Sequence, residues 1–326
     1  MNKSRLALSA AGYLSAAIWF SSGQAFAAEA ASTPGLAVSA GVTSAASPAW
    51  ANPTGDHTVV MEEDITLPDH TIYRPAELGA ERLPVVVFSG PGCDFNGTAF
   101  RPFFTELASH GYLVVVSGPP EPRGGSGPRF VRTRPVDLSA SISWALAENG
   151  RADSRYFQRV DAGKVAMMGQ SCGGLQALSL AADPRISTIV LWNSGVFNTD
   201  PPTPPPSADQ PAGTTFVMPV GSDKTVLKTI KVPVAYFAGG TDMAAPNARD
   251  DFERLSDVPV VLGILEIEGD AHAGTFRETN GGKFAMAALA WLDWQLRGNQ
   301  KSATVFVGDD CVLCADPDWE IRTRGF

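Results

Sequence analysis

The sequence predicts an α/β fold, with one mostly parallel sheet covered by helices on both faces. Three observations predict it. Short, continuous apolar runs (83–88, 112–116, 187–192, 232–237 and 260–267) read as strands buried on both faces, because a half-exposed strand would alternate apolar with polar. Stretches of helical spacing (98–110, 137–146, 245–255 and 283–296) alternate with them. Parallel neighbours need a crossover between them, and the intervals here are long enough to hold one each time.

The elements follow in order. Residues 28–55 are rich in Ala, Ser, Gly and Pro with almost no charge, which reads as a flexible leader. Alternating stretches between His57 and Arg74 (58–61 and 71–73) predict the first antiparallel strands. The apolar strand 83–88 comes next. Helix 98–110 carries Phe100, Phe103, Phe104 and Leu107 at helical spacing, and Gly111 ends it. Strand 112–116 then leads into a loop, 118–135, with four glycines, five prolines and four arginines, expected to be exposed near the site mouth. Asp137 is expected to cap a helix through Leu146. Between Asn198 and Thr229 lies the least regular segment. Pro201, Pro202, Pro204, Pro205 and Pro206 keep it out of a central sheet, since proline lacks the N–H donor. It reads as a surface excursion or as a lid over the site. In the last long helix, 283–296, Phe284, Ala288 and Leu292 share a face with Trp291 and Trp294 nearby, a pattern of core packing rather than of a ligand platform.

Of the 326 residues, the first 27 have the marks of an export signal. Lys3 and Arg5 precede a mostly apolar run from Leu6 to Phe20, and Ala25-Phe26-Ala27 supplies an A-x-A cleavage site. The run is shorter than the roughly 20 residues a membrane span needs, and serines interrupt it. Residues 56–326 are expected to form a single domain, with no membrane span once the signal is removed. Loss of Lys3 and Arg5 takes the formal charge from −9 to −11, which argues against nucleic acid as a partner.

The chemistry centres on Gly169-Gln170-Ser171-Cys172-Gly173, a G-x-S-x-G sequence between an apolar strand and a run able to open a helix. In that context Ser171 would stand on a sharp turn above the sheet as a nucleophile, with small residues on either side because the turn is tight. A serine hydroxyl is un-ionised near neutral pH, so it needs an imidazole to take its proton and a carboxylate to orient that imidazole. Of the four histidines, His272 alone follows a late strand. Asp242 follows the strand 232–237. The order Ser171, Asp242, His272 is the one this architecture requires, at spacings of 71 and 30 residues. Asp242 could instead merely cap the next helix, and Asp270 is a competing acid two residues from His272. Two backbone N–H groups must hold the oxyanion. Cys172, directly after the serine, is expected to give one. The loop Ser89-Gly90-Pro91-Gly92-Cys93-Asp94 is expected to give the other, at Cys93, although its composition would equally make a plain turn.

Taken together these stretches resemble an α/β-hydrolase of the dienelactone hydrolase and bacterial polyester hydrolase (cutinase-like) group. The matching segments run from Pro91-Gly92 through 107–112, the elbow, Val232-Pro233 with Asp242 and Pro246, and the 269–272 turn, to Ala290-Trp291-Leu292. The resemblance implies the α/β-hydrolase fold and a serine ester hydrolase, with Ser171, Asp242 and His272 as its triad and the Cys93 and Cys172 N–H groups as oxyanion donors. The chain departs from the polyester-degrading members in three places. Cys93 stands where they carry an aromatic residue, Asn193-Ser194-Gly195 where they carry a tryptophan, and the excursion 198–229 is longer. Both aromatics belong to the cleft that takes aromatic polyesters.

Four cysteines in an exported chain make disulfides plausible, and three pairings are possible. If Cys93 and Cys172 both flank the oxyanion hole, a bridge between them would tie the two donor loops together, provided their Cα atoms lie within about 7 Å. Two reduced, buried thiols are the other state. Cys311 and Cys314 form C-x-x-C in the tail, where a zinc site would lack two ligands and a redox motif would lack its helix, so a local disulfide is expected. The sequence thus predicts an exported (periplasmic or secreted) serine hydrolase that cleaves a small-molecule or polymeric carboxylic ester through an acyl-enzyme. No organic cofactor and no metal are expected. An amidase or peptidase on the same triad, a polyester hydrolase, and last a non-catalytic binding protein are the alternatives. Acyl length, alcohol group and oligomeric state are left open.

Overall fold

The computed structural model describes residues 48–120, 130–201 and 218–326. Its frame is a nine-stranded sheet. In chain order the strands are β1 (Val59–Asp64), β2 (Leu67–Pro75), β3 (Leu83–Ser89), β4 (Asp94–Phe95), β5 (Leu113–Ser117), β6 (Val131–Arg132), β7 (Val160–Gln170), β8 (Thr188–Trp192), β9 (Val234–Gly239), β10 (Val260–Leu265) and β11 (Trp319–Arg324). The sheet order is β1-β2-β5-β3-β7-β8-β9-β10-β11, and β4 pairs with β6 in a separate short ribbon. The six strands from β5 to β10 run parallel. The hairpin β1–β2 joins them antiparallel at one edge, and β11 runs antiparallel to β10 at the other.

The helices are α1 (Arg101–Ser109), α2 (Pro135–Gly150), α3 (Cys172–Ser179), α4 (Ala245–Arg254), α5 (Gly282–Arg297), α6 (Gln300–Ala303) and α7 (Val312–Ala315). The central strands read as unbroken apolar runs because each face meets a helical layer. On β3, Val85 and Val87 pack with Ile142 of α2, Leu178 of α3 and Phe252 of α4. Val86 and Phe88, pointing the other way, pack with Phe103 and Leu107 of α1 and with Phe284, Ala288, Trp291 and Leu292 of α5. The second layer is rich in aromatic residues: Phe100 stacks on Phe276 at 4.4 Å between ring centroids, and Trp192 on Phe237 at 4.9 Å. This is the α/β-hydrolase fold, as the sequence predicts, and the α5 aromatics are core.

Three details depart from expectation. Asp137 sits three residues inside α2 rather than at its cap. Its carboxylate accepts the Arg134 N–H at 2.7 Å, closing a capping box, and Pro135 takes the first helical position where its missing N–H costs nothing. The helix also runs on to Gly150. Strand β11 was not expected, because Trp-Glu-Ile-Arg-Thr-Arg is no apolar run; it alternates, as an edge strand with one wet face does. The packed chain begins earlier than its composition indicates. Thr54 donates its N–H to Glu106 at 2.9 Å and its hydroxyl to the same carboxylate, and Arg101 lies over the Trp50 ring. The expected signal (1–27), most of the leader, and the run 202–217 of the Pro-rich excursion lie outside the described residues, as does 121–129 of the loop before α2. Among the described residues no helix is long and apolar enough to cross a membrane.

Candidate active site

Each chemically important side chain stands where a parallel strand ends, the place where an open α/β sheet leaves loops free to converge. Strand β7 ends at Gln170, α3 starts at Cys172, and Ser171 makes the whole turn between them at φ 54°, ψ −120°. A non-glycine residue at such angles is strained, and strain of this kind persists only where the surroundings over-determine it. The two motif glycines show how they do so. A Cβ on Gly169 would lie 2.1 Å from the Gly173 carbonyl oxygen, and one on Gly173 would lie 2.0 Å from that of Ser89. Both obstacles are backbone, so neither can yield. The Ser171 N–H donates to the Trp192 carbonyl at 3.0 Å, and the Ser171 carbonyl accepts the Ser194 hydroxyl at 2.8 Å.

The loops after β9 and β10 bring the other two groups to that hydroxyl. His272 Nε2 is 2.9 Å from Ser171 Oγ, and His272 Nδ1 is 2.7 Å from Asp242 Oδ1. Asp242 is 4% exposed, and its Oδ1 also accepts the Ala244 N–H at 3.1 Å. The hydrogen bond to Asp242 holds the His272 pKa above its ordinary 6.5, against the pull of burial. Asp270 has another task. Its Oδ1 accepts the backbone N–H groups of His272 and Ala273 at 3.1 and 3.2 Å, so it shapes the turn that carries the imidazole. The rivalry between the two acids is settled by geometry: Asp242 meets the ring, and Asp270 meets the main chain.

Directly after Ser171 the two cysteines meet. Cys93 and Cys172 form a disulfide with Cα atoms 5.3 Å apart, and Cys311 and Cys314 form a second. Cys172 is the first residue of α3, so its N–H has no carbonyl of its own helix to meet and is free to face an anion. Cys93 ends the 3₁₀ turn Pro91–Cys93 at φ 52°, and its carbonyl accepts the Thr133 N–H at 2.9 Å. Behind this corner sits the fully buried Gln176 of α3. Its amide donates to the Thr133 carbonyl and to Cys93 Sγ, both at 2.8 Å, while its oxygen accepts from Ser89 Oγ at 2.8 Å.

Sequence reasoning gave no role to Gln176, Gln170, Asn193 or Ser194, and little in the sequence could have done so. Gln170 fills the variable place of G-x-S-x-G, and Asn193-Ser194-Gly195 reads as an ordinary turn. Yet Gln170 Nε2 and Asn193 Nδ2 both donate to the His272 carbonyl, at 2.8 and 2.9 Å.

Ser171 and His272 open into a cavity of about 640 Å³. Among the described residues its walls are mainly apolar (Leu175, Phe197, Met218, Met243), with Arg132, Asn198 and Asn247 as polar points. Asn198, Thr199 and Met218 come from the two ends of the Pro-rich excursion, and Phe197 directly precedes it, so its described portions border the cavity.

A hydroxyl, an imidazole and a buried carboxylate in one hydrogen-bonded chain can transfer an acyl group. The chain has the fold of the α/β-hydrolase-type serine hydrolases, and it is with that class that comparison agrees. Residues 66–198 match the model of the X-Pro dipeptidyl-peptidase (S15 family). That stretch is less than half of the chain; it includes Ser171 and stops short of Asp242 and His272. No curated protein matches.

Proposed function

We propose that this chain is an exported serine hydrolase that cleaves carboxylic esters through an acyl-enzyme. The observation that carries the reading is the unbroken chain Asp242–His272–Ser171 at the mouth of an apolar cavity. Ser171 Oγ attacks the ester carbonyl carbon as His272 Nε2 takes its proton. Asp242 keeps Nδ1 protonated and stabilises the imidazolium. The N–H groups of Cys93 and Cys172 hold the oxyanion, and the disulfide between the two residues keeps the donors from drifting apart. His272 then gives its proton to the departing alkoxide, and water, activated by the same imidazole, releases the acid. Every step is assigned to groups of this chain and to water. The resemblance to the dienelactone hydrolase and polyester hydrolase group supports an ester as substrate. With Cys93 and Asn193 in place of that group's cleft aromatics, a small or aliphatic ester is favoured over an aromatic polyester.

The S15 match favours a second reading, a peptidase or amidase on the same triad. A dipeptidyl-peptidase has to accommodate the cationic amino terminus of its substrate, and a desolvated ammonium needs a carboxylate partner. Among the described residues the polar points of the cavity are Arg132 and side-chain amides and hydroxyls, so the choice between the two readings falls to substrate kinetics. A p-nitrophenyl ester and a p-nitroanilide of the same acyl group, alongside an X-Pro p-nitroanilide, separate the two. The ester is expected to be turned over with kcat/KM at least about 100-fold above either anilide, and Ser171→Ala to abolish it. Preferred cleavage of the X-Pro anilide would make the peptidase reading the right one, and ester turnover unchanged in Ser171→Ala would sink the triad assignment.

A further inference from the structure

We propose that Asn193, backed by Gln170, is a positioning residue for the general base: the two side-chain amides clamp the main-chain carbonyl of His272 and so hold its ring in line between Asp242 and Ser171. The proposal rests on the reading above that His272 is that base. His272 lies in a loop between β10 and α5, beyond the reach of the sheet's hydrogen-bond ladder, so something else must fix its main chain. Its N–H is held by Asp270, on the exposed side of the turn. Its carbonyl takes two donors at once, Asn193 Nδ2 at 2.9 Å and Gln170 Nε2 at 2.8 Å, enough to occupy both lone pairs. Asn193 is fully buried and Gln170 only 1% exposed, and they stand at the ends of two different strands, so the clamp is tied to the sheet.

Asn193 does more than donate. Its N–H bonds to the Phe237 carbonyl at 2.8 Å, and its Oδ1 accepts the Gly239 N–H at 2.9 Å, on the strand that runs out toward Asp242. The next residue, Ser194, bonds to the Ser171 carbonyl. One short turn thus touches the loops of nucleophile, acid and base together. Asn193 holds a left-handed backbone, φ 44°, which asparagine tolerates better than most residues and which aims its amide at both neighbours. A ring displaced by a fraction of an ångström costs far more in proton transfer than in binding, since a misplacement of about 1 Å can cost about 100-fold in rate.

The test uses Gln170→Met, which removes the donor with little change of size and adds no titratable group, and Asn193→Ala, each alone and then combined. kcat, KM and the pH profile are measured on an ester, and the His272 imidazole is titrated by NMR. Each single variant is expected to lose about 10-fold in kcat with KM within twofold, and the double variant about 100-fold. In parallel, the His272 titration is expected to fall toward its ordinary value as the bond to Asp242 loosens. If Gln170→Met and Asn193→Ala leave both kcat and the His272 titration unchanged, or lower only the melting temperature, the clamp is structural and the proposal is overturned. Should Asn193→Ala not fold, Gln170→Met alone decides. The titration needs no turnover, so a wild type inactive on every ester would dismiss the ester reading while still judging the clamp.

Discussion

The ammonium of Lys224 lies 2.6 Å from the fully buried carboxylate of Asp251 on α4, and together they close the neck of the Pro-rich excursion. Asp251 Oδ2 accepts the Val196 N–H at 2.8 Å where the excursion leaves the sheet, and Lys224 donates to the Val196 carbonyl at 2.7 Å where it returns. Phe197 and Asn198 of the cavity wall follow directly. Burial pushes the Asp251 carboxyl up to about 6, against the stabilising pull of Lys224 and the Val196 N–H. A carboxyl raised in the folded state binds its proton more tightly there than in the unfolded chain. The stability it lends is therefore greatest below its ordinary value near 4 and is lost as pH rises toward 6. Lys224→Met leaves the carboxylate buried with less compensation, and at pH 8 it is expected to lower stability by about 3–5 kcal/mol, with a smaller loss at pH 5. Chemical denaturation at the two pH values checks this; equal losses at both would contradict it.

The pH dependence of activity follows from His272. The hydrogen bond to Asp242 raises its pKa, and only the neutral imidazole can accept the Ser171 proton. kcat/KM is expected to rise with pH through an apparent pKa above 6.5. Stability from the charged pair runs the opposite way, complete below about 6.5 and lost as pH rises through the folded-state value. Asp242→Asn removes both effects and is expected to reduce kcat by about 10³–10⁴-fold. Asp270→Ala, which frees only two backbone N–H groups, should cost about 10-fold or less. Steady-state profiles of the two variants distinguish the acid that orients the ring from the one that shapes the turn.

The two disulfides should differ in what their loss costs. Cys93–Cys172 closes a loop of 79 residues, worth about 4.5 kcal/mol by chain entropy, whereas Cys311–Cys314 closes one of three and is worth under about 2 kcal/mol. Cys93→Ser with Cys172→Ser is expected to lower both the melting temperature and kcat, since the proposed oxyanion donors lose their tie, with KM little changed. The corresponding change at Cys311 and Cys314 should leave kcat untouched. Thermal melts and single-turnover rates on the two double variants measure it; an undiminished kcat in the first would show that Gln176 and its partners hold the corner unaided.

Much of this molecule could be read from the chain. The buried strands announced themselves because a strand covered on both faces must be apolar throughout, as at 83–88 and 232–237. Ser171, Asp242 and His272 could be picked out because each follows such a strand in a fixed order. What escaped was of two kinds. Strand β11 and the inner place of Asp137 turn on a single exposed face or a single hydrogen bond, signals too small to outweigh composition. Gln170, Asn193, Gln176 and Asp251 were invisible for a different reason: their partners lie 102, 79, 83 and 55 residues away, at His272, His272, Cys93 and Val196.

The sequence by itself determined the α/β frame, the elbow and the order in which Ser171, Asp242 and His272 follow its strands, because apolar periodicity and glycine spacing are local and survive without coordinates. Only the tertiary structure decided which acid meets His272, that Cys93 pairs with Cys172, and which buried amides meet the His272 carbonyl. Those depend on where loops from distant strand ends converge, to within the length of one hydrogen bond, and no local pattern encodes that distance.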